Sequence, residues 1–142
     1  MTTPMAIIPH IPTNAEFERC WPWLEASLAK GALRMSDGSL LPTHRKHHIW
    51  QRIVERKSLF WSHDDCALIS ELLTAPSGLK SHLIWLAGGN LDAIVAMVEP
   101  HVENFGREHD CHQQTGNGRR GWLRKFHGYE ELGVRKRKSL LR

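Results

Sequence analysis

The sequence predicts an α+β domain in which helices flank a mixed sheet, and the order of its apolar patterns leads to this prediction. Two segments with apolar residues at helical spacing come first, at residues 13–31 and 44–57. Three strand candidates joined by short turns follow, as in an antiparallel meander. The third strand leads through a glycine turn into a helix, and strand, helix and final strand candidates come after it. A strand–helix–strand crossover makes its two strands parallel neighbours.

Length and composition predict one soluble globular domain over residues 1–142. The chain is 41% hydrophobic and 24% charged, which is ordinary for a domain with a single core. No apolar run approaches the roughly 20 residues that span a bilayer, and the N-terminus lacks the basic and apolar regions of a signal peptide. The three cysteines have no framework spacing, which predicts reduced thiols in a cytoplasm.

The N-terminal part predicts an extended arm followed by a helix. Residues 1–13 are apolar but interrupted by prolines, which suits an arm lying on the domain or on a neighbour. Thr13 and Glu16 form a capping-box pattern. The apolar face of the helix that follows consists of Phe17, Cys20, Trp21, Leu24 and Leu28. Pro22 falls inside this pattern and predicts a kink, or a new start at Trp21.

A second N-terminal helix is predicted from residue 44 to about residue 57, with Thr43 as its N-cap. Its apolar face consists of Ile49, Trp50, Ile53 and Val54. Histidines cluster near its start, and His44 and His48 have the spacing of metal ligands. No nearby carboxylate or cysteine completes a set, so we expect no metal site.

The meander is predicted from strands at residues 58–62 and 66–74 and a central strand from residue 81. The central strand ends at Gly88 and Gly89, and Asn90 can cap the helix that follows. That helix has its apolar residues at Leu91, Ile94, Val95, Val98, Val102 and Phe105. It ends at Gly106 or runs on to His109. A strand at residues 111–115, a turn at residues 116–118, a helix at residues 119–127 and a final strand complete the prediction.

This order, and several motifs, resemble the second half of the GCN5-related N-acetyltransferase (GNAT) fold. The stretch GRRGWLRKFHGY at residues 118–129 is similar to the last helix of that family, which typically ends in Gly-Phe or Gly-Tyr. More narrowly, CWPW at residues 20–23, LAGGNLD at residues 86–92 and Gly121-Trp122 resemble small acetyltransferase-like proteins encoded by tailed phages. The resemblance implies an acetyltransferase-like mixed sheet flanked by helices.

The resemblance also implies where acetyl-CoA would bind, in the splay between two central strands. Its pyrophosphate would sit on backbone N–H groups where the next helix begins. The corresponding loop consists of Leu86, Ala87, Gly88, Gly89 and Asn90. The Arg or Gln that typically leads this loop is absent, Asn90 uses a donor by capping, and the Asp92 carboxylate opposes an incoming anion. A simple strand-to-helix turn therefore competes with the interpretation as a cofactor loop.

Candidate catalytic residues follow from the same resemblance. The general acid of the family is often a Tyr four residues before the helix-ending glycine, and Arg124 occupies that position here. Tyr129 matches the family's packing aromatic instead. A general base needs a carboxylate or histidine that faces the cleft. Glu71, on the strand before the central strand, is the first candidate, and His82 is the second.

Three functions remain open at this point. The main hypothesis is a non-catalytic virion or virion-assembly component of phage type, because the phosphate-loop residue and the usual Tyr are absent. The first alternative is an active N-acetyltransferase that moves acetyl from acetyl-CoA to an amine. A further alternative is a small nucleic-acid-binding module that uses a basic C-terminal end. For the main hypothesis we expect no cofactor and a location in the cytoplasm of an infected bacterial host, or in the virion.

The expected partners are other virion proteins or further copies of the chain, and no membrane. Trp23 falls off the apolar face of its helix, so it is a candidate contact residue beside the N-terminal arm. The net charge is +4, and residues 133–142 form the basic end. Contact with nucleic acid would use Arg135, Lys136, Arg137 and Lys138. A solvated edge is the simpler interpretation of these charges.

Overall fold

The sheet at the centre of the molecule is built from four strands. The computed structural model describes residues 7–116, 125–132 and 137–140. Strands β3 (Leu59–His63), β4 (Cys66–Thr74), β5 (Lys80–Gly89) and β6 (Gln113–Gly116) lie in the order β3-β4-β5-β6. The first three are antiparallel to one another, and β6 is parallel to β5, so the predicted meander and mixed sheet are confirmed.

Helix α1 (Asn14–Lys30) begins as its capping pattern predicts. The Thr13 side chain accepts a hydrogen bond from the Glu16 amide at 3.1 Å. The helix runs through Pro22 without a break, so the predicted alternative of a new start at Trp21 is wrong. Before it, residues 7–13 are extended, and the His10 amide donates to the Phe60 carbonyl at 3.0 Å. Residues 1–6 of the predicted arm lie outside the described residues.

The order of elements in the N-terminal half differs in detail from the prediction. A two-stranded ribbon, β1 (Leu33–Arg34) and β2 (Leu40–Leu41), lies between the two helices. Helix α2 (Lys46–Val54) is shorter than predicted, with Arg45 rather than Thr43 at its N-cap. The reason is local, because the Arg45 amide donates to His48 Nδ1 at 2.9 Å and thereby ends the extended segment.

The helix after β5 is continuous but not regular. It consists of α3 (Leu91–Met97), a π-helical turn (Val98–Val102) and α4 (Glu103–Glu108). Pro100 lies in the π-helical turn and has no N–H to donate to the preceding turn, which accounts for the wider geometry. The helix passes Gly106, so the predicted alternative that it runs on to His109 is the correct one.

Only part of the predicted C-terminal segment lies within the described residues. β6 begins two residues later than predicted and includes Gly116, which was predicted to turn. Residues 117–124, most of the predicted last helix, lie outside the described residues, and residues 125–128 form a turn instead of helix. No strand occurs at residues 129–132 or 137–140, where the final strand was expected.

Two hydrophobic clusters cover the two faces of the sheet. On the α1/α2 face, side chains of the helices pack on Phe60, Ala67, Ile69 and Leu86. On the α3/α4 face, Ile94, Met97, Val98 and Val102 pack on Trp61, Leu68 and Ile84. Among the described residues, no helix is both long enough and apolar enough to cross a bilayer.

Candidate functional site

In the part of the chain that the structure describes, the pairing of β5 with β6 ends halfway along β5. β5 pairs with β6 only from Ser81 to Ile84, whereas it pairs with β4 as far as Gly89. Residues 85–89 therefore have an edge that no described strand covers. The segment is roughly 14 Å long at about 3.4 Å per residue. Its first residue, Trp85, is a β-bulge without an opposite residue on β4.

A cavity of about 330 Å³ lies along this free edge, between α1 and the start of α3. Three elements line it: α1 with Trp23, Ala26, Ser27 and Lys30, β5 with Ala87, Gly88 and Gly89, and α3 with Leu91 and Ile94. Three residues of the predicted cofactor loop thus face one cavity. Leu86 is buried in the core on the α1/α2 face instead, and Asn90 serves as the N-cap of α3.

The two glycines of the loop are required by packing against the chain itself. A Cβ at Gly88 would collide with the backbone of Trp23, so α1 lies directly on this strand. Gly89 has φ +111°, which side-chain-bearing residues rarely adopt, and a Cβ there would collide with the Asp65 carbonyl. The close approach of the Trp23 and Asp65 backbone therefore accounts for both glycines, and no bound ligand is needed to explain them.

Several amide groups near the cavity already have acceptors. The Ala87 amide donates to Ser27 Oγ at 3.2 Å, and the Asn90 amide donates to the Asp65 carbonyl at 2.8 Å. Asn90 Oδ1 accepts from the Ala93 amide at 3.0 Å, as predicted for a helix cap. The Asp65 acceptor is a backbone carbonyl, whereas Ser27 and Asn90 accept through side-chain oxygens, which rotation of the side chain can move away.

The negative charge predicted to oppose an anion has a cationic neighbour. Asp92 Oδ1 lies 3.6 Å from Lys125 Nζ, and both side chains are mostly exposed. An exposed ion pair of this kind contributes little to stability, but it moderates the local charge. Lys30, on α1, lines the cavity beside the start of α3. The charge around the start of α3 is therefore less adverse to phosphate than the sequence alone suggests.

Glu71, the first candidate base, is held by an arginine on the α1/α2 face of the sheet. Glu71 Oε2 accepts from Arg52 Nη2 at 2.7 Å, and Arg52 Nε donates to Ser58 Oγ at 3.0 Å. The Arg52 guanidinium also lies 5.7 Å from the centroid of the Trp85 ring. The pair joins α2 to β4 close to the point where the strands separate. Glu71 does not line the cavity beside residues 85–89, and its catalytic role stays a prediction.

His82, the second candidate, is fully buried on the α3/α4 face. Its ring nitrogens lie 2.8 Å from Ser70 Oγ and 3.1 Å from Gln114 Oε1. Burial lowers the pKa of His82, so the ring is neutral at pH 7. A ring with both nitrogens bonded inside the core fits a structural role, and a catalytic role for His82 stays a prediction.

The aromatic residue after the predicted last helix packs as the resemblance implies. Tyr129 Oη donates to Glu103 Oε1 at 2.7 Å, and its ring meets the buried Phe126 edge-on. Burial, and then the Glu103 carboxylate, raise the pKa of Tyr129. Arg124, at the usual position of the general acid, lies outside the described residues.

The predicted contact residues have neighbours within the chain. Trp23 is partly buried against the core, and the Arg19 guanidinium lies 5.8 Å from its ring. Arg137 donates from both terminal nitrogens to the carbonyls of Gly31 and Ala32, just after α1 ends. Arg135 and Lys136 lie outside the described residues. Binding of virion proteins or nucleic acid through these residues stays a prediction.

The sequence prediction missed Ser27, His44 and Trp85 as site residues. His44 was considered only as a metal ligand, and its ring lies edge-on to Trp85 with centroids 4.7 Å apart. A bulge at Trp85 has no signature in a continuous apolar run, whereas the helical spacing of Trp23, Ser27 and Lys30 does place them on one side of α1. In the part of the chain that the structure describes, no group of three metal-ligating side chains occurs.

Comparison with known proteins gives the fold. No family model matches the sequence, and no curated protein does either. A solved structure described as a probable acetyltransferase superposes with a TM-score of 0.62 and 12% identity, over 96% of this chain and 97% of that one. The ribosomal-protein-alanine N-acetyltransferase from Brucella melitensis biovar Abortus 2308 superposes with a TM-score of 0.59 and 14% identity, over 94% and 100%.

A third solved structure, the tetramutant of BH1408 from Bacillus halodurans, gives a TM-score of 0.61 at 14% identity, over 97% of this chain and 98% of that one. Nearly the whole length of each chain takes part in all three superpositions. The chain therefore has a GNAT-like α+β fold. At these identities the similarity is one of fold and does not extend to activity.

Proposed function

We propose that the chain is an N-acetyltransferase that binds acetyl-CoA along the free edge of β5 and transfers the acetyl group to a primary amine. The observation that carries the proposal is the strand edge at residues 85–89, which no described strand covers, with a cavity of about 330 Å³ beside it. Two of the structurally similar proteins are described as acetyltransferases, which supports the same reaction class. This was the alternative, rather than the main, hypothesis from the sequence.

The residues present fit an extended ligand that carries amide groups. A free strand edge binds an extended partner through backbone hydrogen bonds, as in strand addition to a sheet. The Ala87 amide becomes available for such a bond once Ser27 Oγ turns away. Lys30, which lines the cavity, and Lys125, which lies beside Asp92 in the first turn of α3, supply positive charge for phosphates. The coenzyme supplies the acetyl thioester, and the chain binds and orients it.

Blocking the cavity tests this proposal with a matched pair of variants. Ala26 is exposed and lines the cavity, whereas Ala29 is exposed on the same helix and does not. Acetyl-CoA at 100 times its Kd should stabilise the wild type by about 2.7 kcal/mol, a shift of several degrees in Tm. We expect Ala26→Trp to abolish the shift and Ala29→Trp to keep it. Absence of a shift in the wild type at millimolar acetyl-CoA would refute the proposal.

A second candidate function is the non-catalytic virion or virion-assembly component of phage type. This candidate is favoured because groups of the protein itself already occupy the positions where a coenzyme would bind. The Trp23 backbone covers Gly88. The Ala87 amide donates to Ser27, and the Asn90 amide donates to Asp65. In this role the fold is a packing unit, and exposed apolar residues such as Ile8 and Ile11 are candidate contacts. Co-purification with virus particles, together with no response to acetyl-CoA, would support this candidate over the enzyme.

A further inference from the structure

A second cavity, of about 320 Å³, lies beside α2 and shares no lining residue with the cavity along β5. Its walls are polar side chains of residues 43–57, among them His44, His48 and Arg52. A polar cavity of this size can admit a small polar group or the end of a chain. Its residues belong to the segment before α2, to α2 itself and to the turn after it.

Two contacts connect this cavity to Trp85, next to the last described pair of β5 with β6. The His44 ring meets the Trp85 ring edge-on at 4.7 Å, and the Arg52 guanidinium lies 5.7 Å from the same ring. Trp85 is the bulged residue and the first one beyond the last pair of β5 with β6. One end of the free edge is therefore adjacent to the α2 cavity, and the other end leads to the start of α3.

We propose that the α2 cavity receives the acceptor amine and that His44 is the general base, taking at Nε2 the proton that a primary ammonium loses before attack. This inference rests on the proposed function. His44 Nδ1 lies 2.9 Å from Thr43 Oγ1, which orients the ring, and its Nε2 bonds to no described residue. With Nδ1–H donating to Thr43, Nε2 carries the lone pair that accepts the proton.

The surroundings keep His44 in the neutral form that a base requires. Burial, then Arg52 and His48 on α2, lower the pKa of His44, and Glu71 on β4 opposes them weakly. Glu71 is itself paired with Arg52 at 2.7 Å, and Trp85 on β5 carries no charge. The ring is therefore neutral at pH 7, as an efficient general base near that pH must be.

The proton step balances without any further reactant. The ammonium N–H bond breaks, its electron pair stays on the amine nitrogen, and a new N–H bond forms at Nε2. That electron pair forms the bond to the acetyl carbon, while the electrons of the carbon–sulfur bond leave with sulfur. Sulfur takes the second amine proton, and His44 returns its own to water.

The test compares His44→Gln with His47→Gln, since His47 is exposed in the same region and does not line the cavity. Acetylation of a panel of primary amines, namely spermidine, 6-aminohexanoate and an alanine-terminated tripeptide, is followed against pH. We expect His44→Gln to lower kcat about 100-fold or more and to remove the low-pH inflection, with the acetyl-CoA thermal shift unchanged. His47→Gln should stay within about threefold of the wild type, as expected for a residue outside the reaction.

A second measurement, made without coenzyme, is the rate at which diethyl pyrocarbonate labels each histidine. The reagent modifies accessible neutral imidazoles. In the unloaded wild type at pH 6.5 we expect rapid labelling of His44 and slow labelling of the buried His82, located by mass spectrometry. Unreactive His44, or His44→Gln within threefold of wild-type kcat, overturns the role of His44 and leaves the proposed function standing. A wild type that neither binds acetyl-CoA nor acetylates any amine of the panel overturns both.

Discussion

Trp61, Ser70 and His82 form a hydrogen-bonded chain inside the α3/α4 face of the sheet. Trp61 Nε1 donates to Ser70 Oγ at 2.9 Å, and Ser70 Oγ lies 2.8 Å from His82 Nε2. His82 Nδ1–H then donates to Gln114 Oε1 at 3.1 Å. An amide oxygen only accepts, so the neutral ring carries its proton on Nδ1 and its bare Nε2 accepts from the Ser70 hydroxyl. Protonation of Nε2 would break the bond from Ser70 inside an apolar core.

The stability of the protein should fall as this histidine becomes protonated. The pKa of His82 is lowered in the folded state from an ordinary value of 6.5. Between these two values the unfolded chain binds a proton that the folded protein does not, so the free energy of unfolding decreases as the pH falls. We expect His82→Gln to flatten the decline in the free energy of unfolding from pH 7 to pH 5, measured by urea titration, by at most about 1.4 kcal/mol per pH unit.

The matched control for this measurement is the exposed His47. His47→Gln should leave the slope of stability against pH as in the wild type, and His44 contributes to that slope equally in all three proteins. An unchanged slope in His82→Gln would show that protonation of His82 has no part in acid destabilisation. The sequence places a histidine in an apolar strand, but its partners lie 12 and 32 residues away, so the bonds that set its charge could not be predicted.

At the scale of elements, the position of α1 on β5 decides how much room the free edge has. Trp23 lies against Gly88, and Ser27, one turn later, bonds to the Ala87 amide. The capping box and apolar face predicted α1, and the glycine pair predicted the end of β5. Their contact could not be predicted, because a glycine that turns the chain and one that admits another backbone look alike in sequence.

A methyl group added at Gly88, where β5 contacts α1, should destabilise the protein. We expect Gly88→Ala to cost about 1–3 kcal/mol, because its methyl group overlaps the Trp23 backbone and neither element can yield easily. Gly31→Ala is the control, since its Cβ would meet nothing nearer than the Leu28 carbonyl at 3.9 Å. Urea unfolding of both variants measures the difference. Equal midpoints for the two would mean that α1 and β5 are not in close contact.

The helix after β5 shows a second limit of the sequence at this scale. Its apolar spacing correctly predicts that Ile94, Val98 and Val102 face the sheet. The π-helical turn at Val98–Val102 shifts the register by part of a turn, and Pro100 is the visible signal for it. A proline in a helical pattern predicts an irregularity, but its form depends on the packing of the flanking residues.

At the scale of the whole molecule, the candidate site exists because β6 is parallel to β5 and, within the described residues, pairs with it at only four positions. The order of strands and helices predicted the parallel pair and the mixed sheet. The two cavities and the His44–Trp85 contact depend on how helices lie across the sheet, and the bulge belongs to the pairing of β5 with β4. Long-range packing of this kind has no local sequence pattern, so the fold could be predicted better than the site.

The most direct measurement is a crystal structure of the protein grown with acetyl-CoA. We expect the amide-bearing arm of the coenzyme along residues 85–89, with the Ala87 amide donating to it and Ser27 Oγ turned away from its present position at 3.2 Å. Coenzyme bound at another surface, or a Ser27–Ala87 bond that persists at saturating acetyl-CoA, would contradict the account.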